Sequence, residues 1–265
     1  MPTNWKPVES AVAIAEAGAN VGVSVVAPDG STWSRNGDEK FQAASTVKIP
    51  IMIRIFERIE AGELALDDAY TLDRSDKAPG SGVLLHMHSG LRVTLNDLLY
   101  LMMSISDNSA TNYLIDLAGM SEVNETMRRI GMGQSVLARK MAGRSADNPN
   151  LENWAAPHDY ARSVKAIFDG TAASAASCEA MLAILEKQQN SRRIGRHVPN
   201  EEGYRWGSKT GSLEGVCNDV GFITTPAGTM VIAVFASDIP DQISGEQIIS
   251  DITLAAMEAS GIAGN

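Results

Sequence analysis

The sequence predicts an α+β fold: a five-stranded antiparallel sheet flanked by the N- and C-terminal helices, with an inserted all-helical domain. Strand-like segments occur at both ends of the chain, whereas helical periodicity dominates from residue 46 to residue 187. Because the strands must pair with one another to bury their apolar faces, both ends are expected to share one sheet. The sheet domain then comprises residues 1–42 and 200–265, and the inserted all-α domain comprises residues 43–199.

The two ends of the chain show related patterns: a helix and a hairpin at the start, and a hairpin and a helix at the finish. Pro28-Asp29-Gly30 and Pro226-Ala227-Gly228 are turn signals between pairs of strand-like runs. The predicted strands are 20–27, 31–36, 216–224 and 229–237, with a further strand around Lys209, and the predicted helices are 8–17 and 245–259.

The central helices have recognisable ends. Thr94 precedes an apolar run and Asp97 follows three residues later, as in a capping box, and Gly119 stops another helix. The predicted central helices are 49–59, 95–104, 110–118 and 157–168. A cleft is expected between these helices and the sheet, because small-molecule sites form preferentially at domain interfaces.

Composition limits the possible functions. Of the 265 residues, 44% are hydrophobic, which suffices for a sizeable core. The net charge of −10 disfavours nucleic acid and anionic membranes as partners. Cys178 and Cys217 are too few for a disulfide framework and lack metal-ligand spacing, so we expect two buried free thiols.

Targeting signals are not visible. Residues 1–7 lack a basic segment followed by an apolar run, and no stretch of eighteen apolar residues occurs. The sequence leaves the compartment unknown: a cytoplasmic location is expected for the chain as it stands, and a periplasmic or secreted one if a signal was removed. We expect a monomer that acts on a small-molecule substrate and uses no cofactor.

Ser45 and Lys48 have the spacing of a serine nucleophile and its base. A serine hydroxyl is a poor nucleophile at neutral pH and needs a base within hydrogen-bonding distance. Positions i and i+3 share one helix face, so the Lys48 amine can lie beside the Ser45 hydroxyl, and Pro50 suits a helix that begins at or just after Ser45. Taken alone, the pair is more simply explained by a helix cap and a solvated lysine.

Ser106, Asp107 and Asn108 lie between two predicted helices. A tight connection can aim Ser106 and Asn108 into the cleft while Asp107 caps the next helix. A hydroxyl there can relay protons from Lys48 to a leaving amine, and the Asn108 amide can bind a substrate carbonyl. By itself the motif is explained by a helix N-cap.

Lys209, Thr210 and Ser212 are predicted on an inner strand, where they form a strip that binds a substrate carboxylate. Gly207 and Gly211 allow a ligand backbone to approach closely. The backbone amide of Ser212 can complete an oxyanion hole with that of the candidate nucleophile. In isolation, a strand-edge turn with a solvated lysine also explains this motif.

Together and in this order, the three motifs resemble those of the class A β-lactamases and penicillin-binding proteins. The resemblance includes residues 44–50, 103–112 and 206–221, and so spans nearly the whole chain. It implies a nucleophile with its base, a proton relay with a substrate ligand, and a carboxylate anchor. The residues concerned are, in that order, Ser45 with Lys48, Ser106 with Asn108, and Lys209 with Thr210.

The chain departs from class A β-lactamases in one respect. Those enzymes use a glutamate on a loop between the second and third motifs to activate the deacylating water. The corresponding stretch, residues 139–144, reads Arg-Lys-Met-Ala-Gly-Arg and holds no carboxylate. Asp147 and Glu152 are the nearest acids, and we expect both to be solvated loop residues. The sequence therefore supplies no evident base for deacylation.

Other polar residues give weaker signals. His86 and His88 lie near residues 79–82, a loop that borders the cleft in the superfamily that the chain resembles, but no third ligand accompanies them. No metal is therefore expected. A basic cluster can attract an anionic substrate but is expected at the solvated surface: Arg192, Arg193 and Arg196.

The leading hypothesis is a serine hydrolase that forms a covalent acyl-enzyme on Ser45 and hydrolyses β-lactam amide bonds. The first alternative is a D-alanyl peptidase or carboxylesterase, which the absent loop glutamate favours. The second alternative is a non-catalytic penicillin-binding or other binding module that keeps the fold, and the complete set of motif residues argues against it.

Overall fold

The computed structural model describes residues 3–263. A five-stranded sheet packs against a layer of helices from the inserted segment. The helices are α1 (Lys6–Ala15), α2 (Lys48–Glu60), α3 (Leu95–Ser104), α4 (Asn108–Ala118), α5 (Met120–Arg129), α6 (Pro157–Phe168), α7 (Ala175–Leu185) and α8 (Gln242–Ala259). The strands are β1 (Asn20–Val26), β2 (Thr32–Arg35), β3 (Phe41–Gln42), β4 (Ala69–Leu72), β5 (Leu91–Thr94), β6 (Trp154–Ala155), β7 (Arg205–Leu213), β8 (Val216–Thr225) and β9 (Gly228–Ser237).

The sheet joins both ends of the chain. Its strands are all antiparallel, in the order β2-β1-β9-β8-β7, which confirms the predicted α+β fold. Val23 of β1 lies opposite Val234 of β9. β7 is an edge strand and not the inner strand expected from the sequence. An edge strand leaves part of its backbone unpaired, so β7 can present amide groups to a bound molecule.

Both faces of the sheet are buried. Successive side chains of a strand point to opposite faces. Phe222 of β8 therefore packs with the helical layer, whereas its neighbour Ile223 packs in a second core with α1 and α8. Among residues 3–263, no helix combines the length and the apolar character needed to span a membrane. Cys178 and Cys217 are buried free thiols, as expected.

The inserted segment is not entirely helical. β4 pairs with β5 within it, and β6 pairs with β3, with Phe41 opposite Ala155. These strands have two to four residues, which is too short for periodicity to reveal them.

Helices with clear end signals lie where they are predicted. The Thr94 hydroxyl accepts a hydrogen bond from the Asp97 amide, and the Asp97 carboxylate accepts one from the Thr94 amide, so the capping box of α3 is formed. α6 begins at Pro157, also as predicted. Sequence reasoning did not find α5 or α7, because α5 is largely polar and the apolar residues of α7 do not form one clear stripe.

Candidate active site

The candidate nucleophile lies on a strained turn. Ser45 belongs to a 3₁₀ turn, Ala44–Val47, that leads directly into α2. Ala44 has a φ of 47°, in the left-handed region that alanine rarely adopts. Such strain persists only where the surrounding structure holds it, and it is common at active sites. Ser45 is 9% exposed and makes no helix-capping hydrogen bond, so the simpler interpretation as a cap is wrong.

Lys48 is fully buried and not solvated. Its Nζ lies 2.8 Å from the carbonyl oxygen of Ser106, 2.9 Å from the Ser106 hydroxyl and 3.1 Å from Oδ1 of Asn108. Burial and the charge of Lys209 lower the pKa of Lys48 well below its usual value, and the opposing effect of Asp107 is smaller. One amine therefore joins the first motif to the second.

A neutral Lys48 amine has two N–H groups and one lone pair. In the charged form, Nζ can donate one hydrogen to each of three oxygens: the carbonyl and hydroxyl oxygens of Ser106 and Oδ1 of Asn108. Loss of one proton then leaves a lone pair that can accept a proton. The expected contact with the Ser45 hydroxyl is not among the hydrogen bonds of residues 3–263, because the amine is directed toward the second motif.

The turn of the second motif is held by its central aspartate. Asp107 accepts a hydrogen bond from the Ala110 amide and so caps α4, as predicted. Its other oxygen accepts hydrogen bonds from the amides of Val83 and Leu84, in the loop that borders the cleft. Ser106 has a φ of 62°. In this conformation both its carbonyl and its hydroxyl face the buried amine.

The third motif lies on β7 at the edge of the cleft. Lys209 is fully buried and not solvated, and its Nζ donates to the carbonyl oxygen of Thr210 at 2.9 Å. Burial lowers the pKa of Lys209 to about 7, although the charge of Asp219 opposes the shift. The charge of this candidate carboxylate anchor therefore changes near neutral pH.

Gly211 allows β7 to touch the nucleophile turn. A Cβ atom at this position would lie 3.2 Å from the backbone nitrogen of Ser45 and 3.0 Å from the carbonyl oxygen of Ala43. The next residue, Ser212, consequently lines the same cavities as Ser45. Gly207 was expected to let a ligand approach closely. Instead, the absence of a side chain at this position makes room for the end of α7.

Arg193 lies in the wall of the cleft. The prediction that it belongs to the solvated surface is therefore wrong. Arg193 is 3% exposed, and its guanidinium donates to the Ser212 hydroxyl at 2.7 Å and to one carbonyl oxygen each of β7 and β8. Arg192 and Arg196 are exposed, as expected. No local signal separates these three arginines, because the burial of one of them depends on where β7 lies.

Glu152 is buried, so the prediction of a solvated loop residue is wrong. Its Oε1 accepts hydrogen bonds from the Arg139 guanidinium and from the Asn153 amide. Its Oε2 accepts from the Ala146 amide at 2.7 Å and from Nε2 of Gln42 at 3.2 Å. Both oxygens are engaged, so this carboxylate closes the loop and is not available to activate a water molecule.

Met141 occupies the wall next to the nucleophile. Its amide donates to Oδ1 of Asn112 at 2.7 Å, and Nδ2 of Asn112 donates back to its carbonyl oxygen at 2.9 Å. Met141 lines one cavity together with Ser45 and Asn108. Residues 139–144 therefore contribute a thioether and no carboxylate to this wall.

The cleft contains two cavities that share Ser45. The motif cavity has a volume of about 300 Å³, and its walls include Ser106, Thr210 and Arg193. The loop cavity has a volume of about 60 Å³, and its walls include residues 141–144. A groove of about 530 Å³ between α1 and α8 is larger, but its lining residues offer no nucleophile beside a buried base. Residues 3–263 hold no cluster of three potential metal ligands.

Comparison with known proteins identifies the family. A family model described as the beta-lactamase enzyme family matches residues 7–259. The chain belongs to the beta-lactamase enzyme family. A crystal structure of beta-lactamase from Sphaerobacter thermophilus DSM 20745 is 60% identical, covers 98% of each chain and has a TM-score of 0.96. The structure of PBP-A has a TM-score of 0.86 over 96% of this chain and 95% of its own, but at 24% identity it shows a shared fold alone.

Curated relatives match this member of the beta-lactamase family over shorter stretches. A beta-lactamase of Rhodobacter capsulatus is 37% identical over 124 residues, which are 46% of this chain and 42% of the relative. Beta-lactamase BRO-1 of Moraxella catarrhalis is 25% identical over 203 residues, which are 73% of this chain and 62% of the relative. The chain thus spans less than two thirds of the length of either relative.

Replacing Glu152 with glutamine is expected to lower the free energy of unfolding by about 2 kcal/mol, because Arg139 then loses its buried counter-charge. Urea denaturation measures this difference. Asp147→Asn is the matched control, since the Asp147 side chain is 84% exposed in its pair with Arg144. The control is expected to leave the midpoint of urea denaturation unchanged. Equal losses in both variants would contradict the structural role of Glu152.

Binding of carboxylate-bearing substrates is expected to weaken as pH rises through about 7. Lys209 is protonated below its pKa of about 7 and neutral above it, so its attraction for a carboxylate is lost with rising pH. Between about pH 6 and about pH 8 the charged fraction falls roughly tenfold, and KM for such substrates should rise by a similar factor. p-Nitrophenyl acetate, which has no carboxylate, serves as the control. A KM ratio between the two substrates that is independent of pH would refute this role of Lys209.

Proposed function

We propose that this protein is a serine hydrolase that forms an acyl-enzyme on Ser45 and opens β-lactam rings. The observation that carries the proposal is the Lys48 amine, which is fully buried and held between Ser106 and Asn108. Burying an amine costs free energy, and the cost lowers its pKa, so that it can serve as a base at neutral pH. A lysine with only a structural role would be more stable at the surface, where water solvates its charge.

Acylation uses the first two motifs. The Ser45 hydroxyl oxygen attacks the carbonyl carbon of the substrate, and its proton passes to the neutral Lys48 amine. The amides of Ser45 and Ser212 are the candidate donors to the oxyanion that forms. As the C–N bond breaks, the Ser106 hydroxyl gives its proton to the leaving nitrogen and takes one from Lys48, 2.9 Å away.

The motif cavity supplies the charge that holds the substrate. Arg193 places a guanidinium in the wall of this cavity beside Thr210 and Ser212. The buried amine of Lys209 lies behind the wall, where it donates to the carbonyl oxygen of Thr210. A guanidinium and hydroxyl groups together are well suited to a carboxylate. We therefore propose substrates that carry a carboxylate beyond the scissile nitrogen, as β-lactams do.

A second candidate, a D-alanyl peptidase or carboxylesterase, is favoured by the walls of the loop cavity. Glu152 is the carboxylate that lines it, and both of its oxygens are engaged. Met141 lines the cavity that also contains Ser45, and its side chain cannot act as a base. Release of a penicilloyl group is then slow, whereas smaller or more reactive esters are turned over.

Intact mass spectrometry tests the proposal. The protein is incubated with 6-aminopenicillanic acid, benzylpenicillin and p-nitrophenyl acetate, while ring opening and nitrophenol release are followed by absorbance. Ring opening over many turnovers supports a β-lactamase. A stable adduct with penams, combined with turnover of the ester, supports the second candidate. No adduct and no turnover with any of the three would refute both and leave a non-catalytic binding module.

A further inference from the structure

The two cavities of the cleft share Ser45 and differ in their other lining residues. The motif cavity contains Ser106, which protonates the leaving group, and Arg193, which attracts a carboxylate. It therefore takes the part of the substrate beyond the scissile bond. The loop cavity, lined by Asn108 and Met141, remains for the substituent on the acyl carbon. This assignment rests on the proposed function.

Two loops touch each other at the loop cavity. A Cβ atom on Gly80 would lie 2.8 Å from the Cα of Gly143, and a Cβ on Gly143 would lie 2.9 Å from the Cα of Gly80. Their φ angles are 103° and 71°, which glycine adopts readily and other residues rarely do. The backbones can be this close only because neither residue has a side chain.

Both loops are anchored beside the contact. The carbonyl oxygen of Pro79 accepts a hydrogen bond from Nδ2 of Asn108 at 2.8 Å. Asn112 holds the backbone of Met141 by two hydrogen bonds, and the buried pair of Arg139 and Glu152 closes the second loop at its base. The narrowness of the loop cavity is therefore a property of the packed structure.

The volumes of the two cavities differ about fivefold, at about 60 Å³ and about 300 Å³. Ligand pockets usually have volumes of about 300 to 1,000 Å³, so the motif cavity lies at the lower end of that range and the loop cavity far below it. We infer that Ser45 accepts acyl groups whose substituent has only a few non-hydrogen atoms, together with a larger, polar and anionic leaving part. The wall that includes Met141 and Arg144, held in place where Gly80 touches Gly143, sets this selectivity.

The test compares 6-aminopenicillanic acid with benzylpenicillin, which share the part beyond the scissile nitrogen and differ in the acyl substituent. Met141→Ala removes a side chain from the wall of the loop cavity. The second-order rate constant for acylation, followed by intact mass, should rise about tenfold or more for benzylpenicillin and change less than about twofold for 6-aminopenicillanic acid. Each variant is compared with the parent protein, so the intrinsic reactivities of the two lactams cancel.

Met87→Ala is the control, because Met87 is 41% exposed and lies outside both cavities. If the Met141→Ala variant does not fold, Arg144→Ala provides the same test. The Arg144 side chain lines the loop cavity but is 65% exposed, so its removal should not prevent folding. Equal changes for both lactams, or no change for benzylpenicillin, overturn the inference. Absence of acylation by either lactam and by p-nitrophenyl acetate overturns the proposed function itself.

Discussion

Replacing Ser45 with alanine is expected to abolish acylation of the protein by β-lactams and esters. Ser45 lies on the turn before Lys48 and lines both cavities, and β7 approaches its backbone nitrogen at Gly211. Without the hydroxyl oxygen of Ser45 no covalent intermediate can form, and the remaining residues offer only binding and polarisation of the carbonyl group. The rate of substrate consumption should fall at least about 10³-fold.

Intact mass and absorbance measurements check this expectation with the donors named above. Ser10→Ala is the matched control, because it removes the same oxygen from an exposed position on α1. The Ser10 variant should keep the adduct and the rate of the parent protein. If the Ser45→Ala variant forms the adduct in unchanged yield, another residue is the nucleophile and the mechanism is wrong.

Replacing Met141 with glutamate is expected to accelerate deacylation about 100-fold. The Met141 backbone is fixed by Asn112, and its side chain lines the loop cavity with Ser45. A carboxylate there can take a proton from water that attacks the ester carbonyl, and general base catalysis contributes about 10² to 10⁴ in rate. The parent protein has no free carboxylate among the residues that line this cavity.

The lifetime of the adduct with 6-aminopenicillanic acid measures this effect, since that donor has the smaller acyl substituent. Met141→Gln is the control, because glutamine has the shape of glutamate but cannot serve as a base at neutral pH. Acylation rates should remain similar in both variants. If the glutamate and glutamine variants release the acyl group equally slowly, the loop cavity is not where the deacylating water acts.

Secondary structure was predictable where local chemistry marks the ends of an element. Thr94 with Asp97, Gly119 and Pro157 act within one turn of the chain, so their effect does not depend on the rest of the fold. α7 shows the limit. Its alanine-rich sequence has no single apolar stripe, and packing against the other helices and β7 determines its position.

The candidate site shows the same division between local and long-range information. The motifs identified Ser45, Lys48 and Lys209, and the structure brings the three motifs around one cleft. The motifs did not reveal that Arg193 lines the cleft. They also did not show that Lys209 lies on an edge strand, because strand order depends on pairings between residues far apart in the chain.

The sequence by itself determined the fold class, the order of the three motifs and the absence of a carboxylate from residues 139–144. These properties follow from residue types and short spacings, which do not depend on how the chain folds. Only the tertiary structure decided that Glu152 is engaged with Arg139 and that Gly80 touches Gly143. Both contacts join segments that come together only when the loops pack against the cleft. This packing determines which charged groups are free at the loop cavity and how much space a substrate has there.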